Sequence, residues 1–237
     1  MAGPPSAAAG VVVIIPAHDE EQRIGSTVQA ARTLASARAV IVADDGSRDE
    51  TGARATAAGA QVVRHPRRRG KGAAMTTGAR AADRAGFGHA PLLFLDADLE
   101  DSAAEAGPLA EPVLEGAADL TIAVLSATGA GGGHGFVLAL ARSGIRQATG
   151  WTATAPLSGQ RCMTRELFDA VQPLARGFGV ETGLTIDALR NRARVLECSV
   201  PFRHRVTGTG WNDQLHRARQ YRDVWLALAA RRVYRVR

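Results

Sequence analysis

Cysteine, lysine and aromatic residues are scarce in this chain, and each shortage excludes something. Two cysteines in 237 residues, Cys162 and Cys198, make no disulfide framework and lie in no C-x-x-C spacing, so a stapled secreted fold is not indicated and a reducing compartment fits. Aromatics make up 5% of the residues, and no basic–aromatic motif of the RNA-binding kind is present, which leaves a nucleic-acid role least favoured. No stretch approaches the roughly 20 apolar residues that span a bilayer; Val224 to Ala230 is the longest late run and is far too short. Met1 to Gly10 carries Pro, Ser and Ala but no basic segment followed by an apolar one, so no signal peptide is expected and residues 1–10 read as a disordered leader. These shortages point to a cytoplasmic protein that is soluble or sits at the inner face of the membrane.

What is present is more telling. Lys71 is the only lysine, in a chain whose other basic residues are all arginine. The net charge of +6 is unevenly spread. Residues 203–237 hold nine arginines against Asp213 and Asp223, while the rest of the chain is close to neutral. A basic tail points to an anionic surface or a phosphate-bearing partner, or else to a solvated helix face.

Apolar runs alternate with helical patterns through the first hundred residues. Strands are expected at Val11–Ile15, Ala39–Val42, Gln61–Arg64 and Leu92–Leu95, with helices at Glu20–Ser36, Asp49–Gly59 and Lys71–Gly86. That alternation predicts an α/β fold with a mostly parallel, doubly wound sheet and helices on both faces, in one domain. Further helices are expected at Pro108–Gly116, Phe136–Thr149, from Arg165, at Gly183–Asn191 and at Gln214–Arg232, with strands at Leu120–Leu125, Arg161–Thr164 and Arg194–Val200.

Ligands of such sheets sit beyond the carboxyl ends of the strands, and there this chain gathers its acids. The apolar run Leu92 to Leu95 ends in Asp96-Ala97-Asp98. Carboxylates at i and i+2 point the same way where a strand emerges. Such a pair suits a hard cation, Mg²⁺ or Mn²⁺, that also takes oxygens from a bound phosphate. A strand end capped by acidic loop residues is the plain alternative.

Four segments in order resemble family 2 glycosyltransferases: Val12 to Glu21, Val42 to Asp49, Gly70-Lys71-Gly72-Ala73-Ala74, and Asp96-Ala97-Asp98. Pro156 to Arg161 and Gly177 to Glu181 are similar to acceptor-side motifs of polyprenyl-phosphate sugar transferases and of glucosyl-3-phosphoglycerate synthases. The resemblance spans about residues 11–223. It implies the GT-A (Rossmann-like) fold, with a donor-binding half at 11–100, an acceptor-binding half at 101–213 and a basic helix at 214–232. It also implies a UDP- or GDP-linked sugar donor.

The roles it implies follow the same order. Pro16, Ala17, Asp19 and Glu20 line the ribose and base, with His18 beside the base. Asp45 reads the base edge and Asp44 supports the turn. Lys71 meets the diphosphate, with Ala97 on the donor side. Asp96 and Asp98 hold the metal, with Glu100 as a further oxygen and His204 completing the set (His216 the runner-up). Ser158, Gly159, Gln160, Arg161 and Arg205 face the acceptor, Arg161 gripping a phosphate through two hydrogen bonds, while Glu181 serves as general base or positions the acceptor.

The implied activity is metal-dependent transfer of a sugar to a phosphate-bearing acceptor. A polyprenyl phosphate is the first expectation, reached by peripheral membrane contact through the terminal helix, and a small acceptor such as 3-phosphoglycerate is the second. A sugar nucleotidyltransferase would open with a glycine-rich loop where this chain has Pro16-Ala17-His18-Asp19-Glu20. A non-catalytic nucleotide-sugar or membrane-surface binding module would need neither Asp98 nor Glu181. A homodimer is compatible with the sequence, which leaves oligomeric state open.

Overall fold

The computed structural model describes residues 10–125, 135–202 and 211–232, without the side chains of 125 and 211–217. Seven strands form one sheet: β1 (Val11–Ala17), β2 (Ala37–Asp44), β3 (Gln61–Arg64), β4 (Leu92–Phe94), β5 (Leu120–Leu125), β6 (Arg161–Met163) and β7 (Val195–Val200). Their spatial order is β3-β2-β1-β4-β6-β5-β7. All neighbouring pairs are parallel except those of β6, which runs antiparallel to β4 and β5. The mixed α/β architecture with a mostly parallel sheet is therefore as the sequence predicts.

Alternation along β1 explains the layers. Val11, Val13 and Ile15 pack on one face with α1 (Ile24–Arg32) and α4 (Gly107–Leu114). Val12 and Ile14 pack on the other with α3 (Lys71–Arg84), α6 (Arg165–Ala170) and α7 (Val180–Arg190). Each of these five β1 residues is fully buried, worth roughly 1.5–3 kcal/mol apiece in transfer energy. Helix α3 comes down onto β1 at Gly78, where a Cβ would meet Ile14 Cγ2 at 2.5 Å. A third apolar cluster joins α5 (Gly135–Thr149), α7 and α8 (Trp211–Ala230) through Ile145, Ile186, Val224 and Leu228. The short α2 (Thr51–Ala57) follows β2.

Several boundaries differ from expectation, and three bear on the site. Helix α1 begins four residues after Glu20, because the amides of Glu20 and Glu21 are donated to Thr51 Oγ1 and Asp49 Oδ2 across the neighbouring loop. Strand β6 stops at Met163, because Thr164 instead caps α6, its hydroxyl accepting from the Leu167 amide. Helix α7 begins at Val180 rather than Gly183, which brings Glu181 into its first turn.

Candidate active site

The carboxyl ends of β1, β2 and β4 share one edge of the sheet, and the loops leaving them are cross-linked. Asp19 donates its amide to Ser47 Oγ, and Arg48 donates its amide to Asp19 Oδ1, at 3.0 and 2.8 Å. Asp44, the buried last residue of β2, accepts the Ser47 amide at 2.8 Å, so it supports the turn. Asp19 (φ 56°) and Gly46 (φ 76°) both take left-handed backbone conformations, which form the sharp turns these contacts need. Between the ends of β1, β2 and β3 opens a cleft of about 510 Å³, lined by His18, Asp19, Ser47, Arg48, Arg64 and Arg67 among others. Within it, His18 Nδ1 is buried with no hydrogen-bond partner. Pro16 and Ala17 lie in β1 just before this cleft, Ala17 buried.

Asp45 differs from its expected part. Its carboxylate is buried and accepts from the amides of Arg69 (2.8 Å) and Gly70 (2.7 Å) and contacts His65 Nδ1 (2.7 Å). The side chain expected to read a base edge is engaged as a brace for the loop that precedes Lys71, because three donors converge on it. Glu20, expected at the ribose, pairs with Arg23 through Nε and Nη2 at 3.0 and 2.6 Å. Burial raises its pKa and Asp98 adds to the rise, against the hydrogen bond from Arg23. Asp98 therefore lies within electrostatic reach of Glu20 and Arg23.

Beyond β4 the two aspartates are held differently. Thr27 Oγ1, on α1, donates to the Ala97 carbonyl and accepts the Glu100 amide, both at 2.8 Å, and so clasps the turn that carries Asp98. Asp96 instead enters a charged junction. Lys71, the first residue of α3, places Nζ 2.7 Å from Asp96 Oδ1 and 2.9 Å from Glu181 Oε1. Gln160 Nε2 donates to the other oxygen of Asp96 at 2.6 Å, and Ser158 Oγ donates to Gln160 Oε1. Burial opposes the charge on Lys71, yet the two carboxylates together raise its pKa above the ordinary lysine range. Gly159 has no room for a side chain: a Cβ there would stand 2.4 Å from Lys71 Nζ and 2.8 Å from Asp96 Oδ1.

Arg161 is a correction. Expected on the acceptor, it is 1% exposed, with Nε donating to the Ser158 carbonyl (2.7 Å) and Nη1 to Thr185 Oγ1 (2.8 Å). Burial pulls its pKa down to about 10, while Glu181, Glu197 and Asp96 resist the fall. Its position inside antiparallel β6, between β4 and β5, turns it under the sheet edge, where it anchors residues 158–160 from beneath. Nη2 is buried without a partner.

His204 and Arg205 lie outside the described residues, as does the side chain of His216. Among the described residues, no three His, Cys, Asp or Glu side chains gather as a metal set. Asp98, with Asp96 beside it in sequence, still fits Mg²⁺ or Mn²⁺ by donor chemistry, since these ions commonly use one or two carboxylates and fill their sphere with substrate phosphate and water. Sequence reasoning missed Thr27, His65 and Thr77. The signal that could have found His65 is its position directly after β3, at the same carboxyl edge as the acids.

A mostly parallel sheet that gathers acids, one lysine and a cross-linked turn at its carboxyl edge has the layout in which open α/β proteins hold their ligands. The profile of glycosyl transferase family 2 matches residues 12–171, and the chain belongs to that family. It is 35% identical over 201 residues to the glucosyl-3-phosphoglycerate synthase of Mycolicibacterium paratuberculosis, covering 75% of this chain and 59% of that protein. The chain thus spans about three fifths of the length of the curated relatives it matches. The crystal structure of the Mycobacterium tuberculosis glucosyl-3-phosphoglycerate synthase with phosphoglyceric acid superposes with a TM-score of 0.76 at 29% identity, covering 95% of this chain and 80% of that one. The same enzyme with Mn²⁺, UDP and phosphoglyceric acid gives 0.75 at 28% identity, covering 95% and 79%. The fold is that of these GT-A enzymes.

Proposed function

We propose that the chain is a glycosyltransferase that moves a sugar from a nucleoside-diphosphate sugar to a small phosphorylated acceptor, with 3-phosphoglycerate and UDP-glucose as the first pair to try. The observation that carries this reading is the junction of Lys71, Asp96 and Glu181 under the Gly159–Gln160 loop, at the edge where the cleft opens. The relatives, whose structures hold UDP, Mn²⁺ and phosphoglyceric acid, favour the small acceptor over the polyprenyl phosphate that the sequence put first.

The residues divide the work by chemistry. The cleft between β1 and β3 receives the nucleoside, and its arginines face the anion. Lys71 presents a compact cation toward the diphosphate. Asp98, supported by Asp96, would hold a divalent cation, which when bound neutralises charge on the leaving diphosphate. Glu181 stands at the junction where an acceptor hydroxyl must lose its proton. Its carboxylate is suited to accept that proton or to orient the hydroxyl. The loop of Ser158 to Gln160 forms the acceptor wall, with Arg161 as its buried anchor. Arg205 is assigned to the acceptor phosphate and His204 to the metal.

The test is release of nucleoside diphosphate from UDP-glucose, UDP-GlcNAc, GDP-glucose and GDP-mannose, with Mn²⁺ or EDTA, with 3-phosphoglycerate or a short polyprenyl phosphate. Metal-dependent release stimulated by phosphoglycerate supports the proposal. Stimulation by the lipid alone moves the acceptor to the polyprenyl class and revives membrane contact through α8. No release in any combination, with no nucleotide binding, overturns the enzyme reading.

A further inference from the structure

His65 belongs to none of the segments that carry the family resemblance, yet it is 4% exposed and its ring is hydrogen-bonded at both nitrogens. Nδ1 lies 2.7 Å from Asp45 Oδ1 and Nε2 lies 2.8 Å from Thr77 Oγ1. A carboxylate only accepts, so Nδ1 carries the hydrogen toward Asp45; in the neutral ring Nε2 then accepts from the Thr77 hydroxyl. The same carboxylate takes the amides of Arg69 and Gly70, the two residues ahead of Lys71. The chain Asp45–His65–Thr77 therefore grips α3 at two points, the amide just before its first residue and a hydroxyl in its second turn. Lys71 sits between those two grips.

Two glycines show how little slack this segment has. Gly46, in the turn after β2, lies under the backbone of residues 67 and 68, where a Cβ would approach Arg67 C at 2.7 Å and Arg68 N at 2.8 Å. Gly70 takes φ 95°, a conformation that turns its amide onto Asp45 and starts the helix in one residue. Asp45 also places a negative charge at the start of the 14-residue α3, where the helix dipole favours it. The segment held in this way forms one wall of the arginine-lined cleft and ends at the lysine of the charged junction.

We propose that His65 and Thr77 are positioning residues for the donor: acting through Asp45, they fix the cleft wall at Arg67 and Arg68 and the cation of Lys71 in the arrangement that receives a nucleoside diphosphate. This rests on the function proposed above. Neither side chain need touch the donor. Removing the imidazole takes one of two partners from the buried Asp45 Oδ1 and breaks the link to the half-buried Thr77 hydroxyl, and frees the segment between the two grips to shift. The consequence falls first on donor binding, because Arg161 anchors the acceptor wall from β6, whereas Gln160 is linked to Lys71 only through Asp96.

The experiment compares wild type with His65→Ala, His65→Asn and Thr77→Val by calorimetric titration with UDP and with GDP, by steady-state kinetics in donor and acceptor, and by Tm. His65→Ala is expected to weaken nucleotide binding and raise the donor KM by about tenfold or more, the scale seen when a supporting partner of a binding group is lost, with a clearly smaller change in acceptor KM. His65→Asn offers an amide N–H toward Asp45 but does not reach Thr77, so it recovers part of the loss. Thr77→Val keeps the Asp45 contact and shows a smaller shift in the same direction, which keeps the test valid if His65→Ala folds poorly. Unchanged nucleotide affinity and donor KM in Thr77→Val and His65→Asn overturn the inference. So does a parallel rise of donor and acceptor KM accompanied by a lower Tm, the signature of general loosening. A wild-type chain that binds neither UDP nor GDP overturns the proposed function itself, and that outcome is read on wild type alone.

Discussion

The loops that follow β1 and β2 and the groups that arrive from β6 and α7 meet at the same sheet edge, but different forces hold them. The first pair is laced by backbone amides donated to Asp19, Asp44, Asp45, Ser47 and Thr51. The second is held by burial and charge: Glu181 by Lys71, Gln160 by Asp96, and Arg161 by its enclosure in the sheet. Amide lacing spreads the work over many contacts, each of modest net worth. A charged junction is costly to assemble and costlier to leave half-made. The loops after β1 and β2, the proposed donor side, are thus braced by many small contacts, whereas the proposed acceptor side depends on a balance of three charges that a bound phosphate or a cation would alter.

That contrast can be broken most severely at Asp98. Asp98→Ala should lower turnover on the order of 10³-fold, since a metal ligand supplies several kcal/mol of charge stabilisation. Circular dichroism and Tm should stay near wild type, because Asp98 is carried on a turn clasped by Thr27. A variant that keeps full metal-dependent activity would show the cation to be held elsewhere.

Gly159→Ala sharpens the acceptor side. The new methyl must displace the ends of Lys71 and Asp96, not backbone. The fold should survive while kcat falls by roughly tenfold to a hundredfold, as expected when positioned groups move by about 1 Å. Wild-type kinetics in this variant would remove the junction from the mechanism.

Lys71→Met leaves Asp96 and Glu181 facing one another without their shared cation, at a cost of about 2–3 kcal/mol after allowance for their partial exposure. The sign of the pH dependence follows from the raised pKa of Lys71. Stability that a raised group contributes is fully present below its unfolded pKa and is lost only as pH climbs through the higher folded value. The Tm gap between wild type and variant should therefore stay constant from neutral pH to about pH 10 and close only above it. A gap that narrows already near pH 8 would contradict the charged pair.

Gly78→Ala has the smallest expected effect and lies in the scaffold both sides share. Its methyl would strike Ile14 Cγ2 in a filled core. Overpacking of about 1–3 kcal/mol outweighs a helix-propensity gain of about 1 kcal/mol. A modest drop in Tm with unchanged donor and acceptor KM values is the expected reading, while a raised Tm would mean that α3 can lift off β1 freely.

The sequence reading and the structure part company wherever a contact joins distant segments, in both regions. Val11 to Ile15, Leu92 to Leu95 and the turn at Asp44 to Ser47 were legible because strand burial and turn chemistry are written into contiguous residues. Asp96, Asp98, Lys71, Gln160 and Glu181 could be named as candidate site residues from the motifs that carry the resemblance. Their pairing could not, because Lys71 and Glu181 stand far apart in the chain and meet only through the packing of α3 and α7 on one face of the sheet. Arg161 was misread for the same reason. A strand at Arg161 was expected, but not that antiparallel neighbours on both sides would enclose its side chain. Asp45 and His65 show the converse, a brace between the ends of β2 and β3 whose partners lie in separate segments.

By itself, then, the order of apolar runs and acidic turns determined the sheet, its carboxyl edge and the residue types gathered there, since periodicity and turn propensity act over a few residues. Which carboxylate holds a lysine, which arginine is buried and which histidine stiffens the cleft were decided by tertiary structure alone. Charge and hydrogen-bond partners are chosen by distance in space, and only the packed helices bring those side chains within reach.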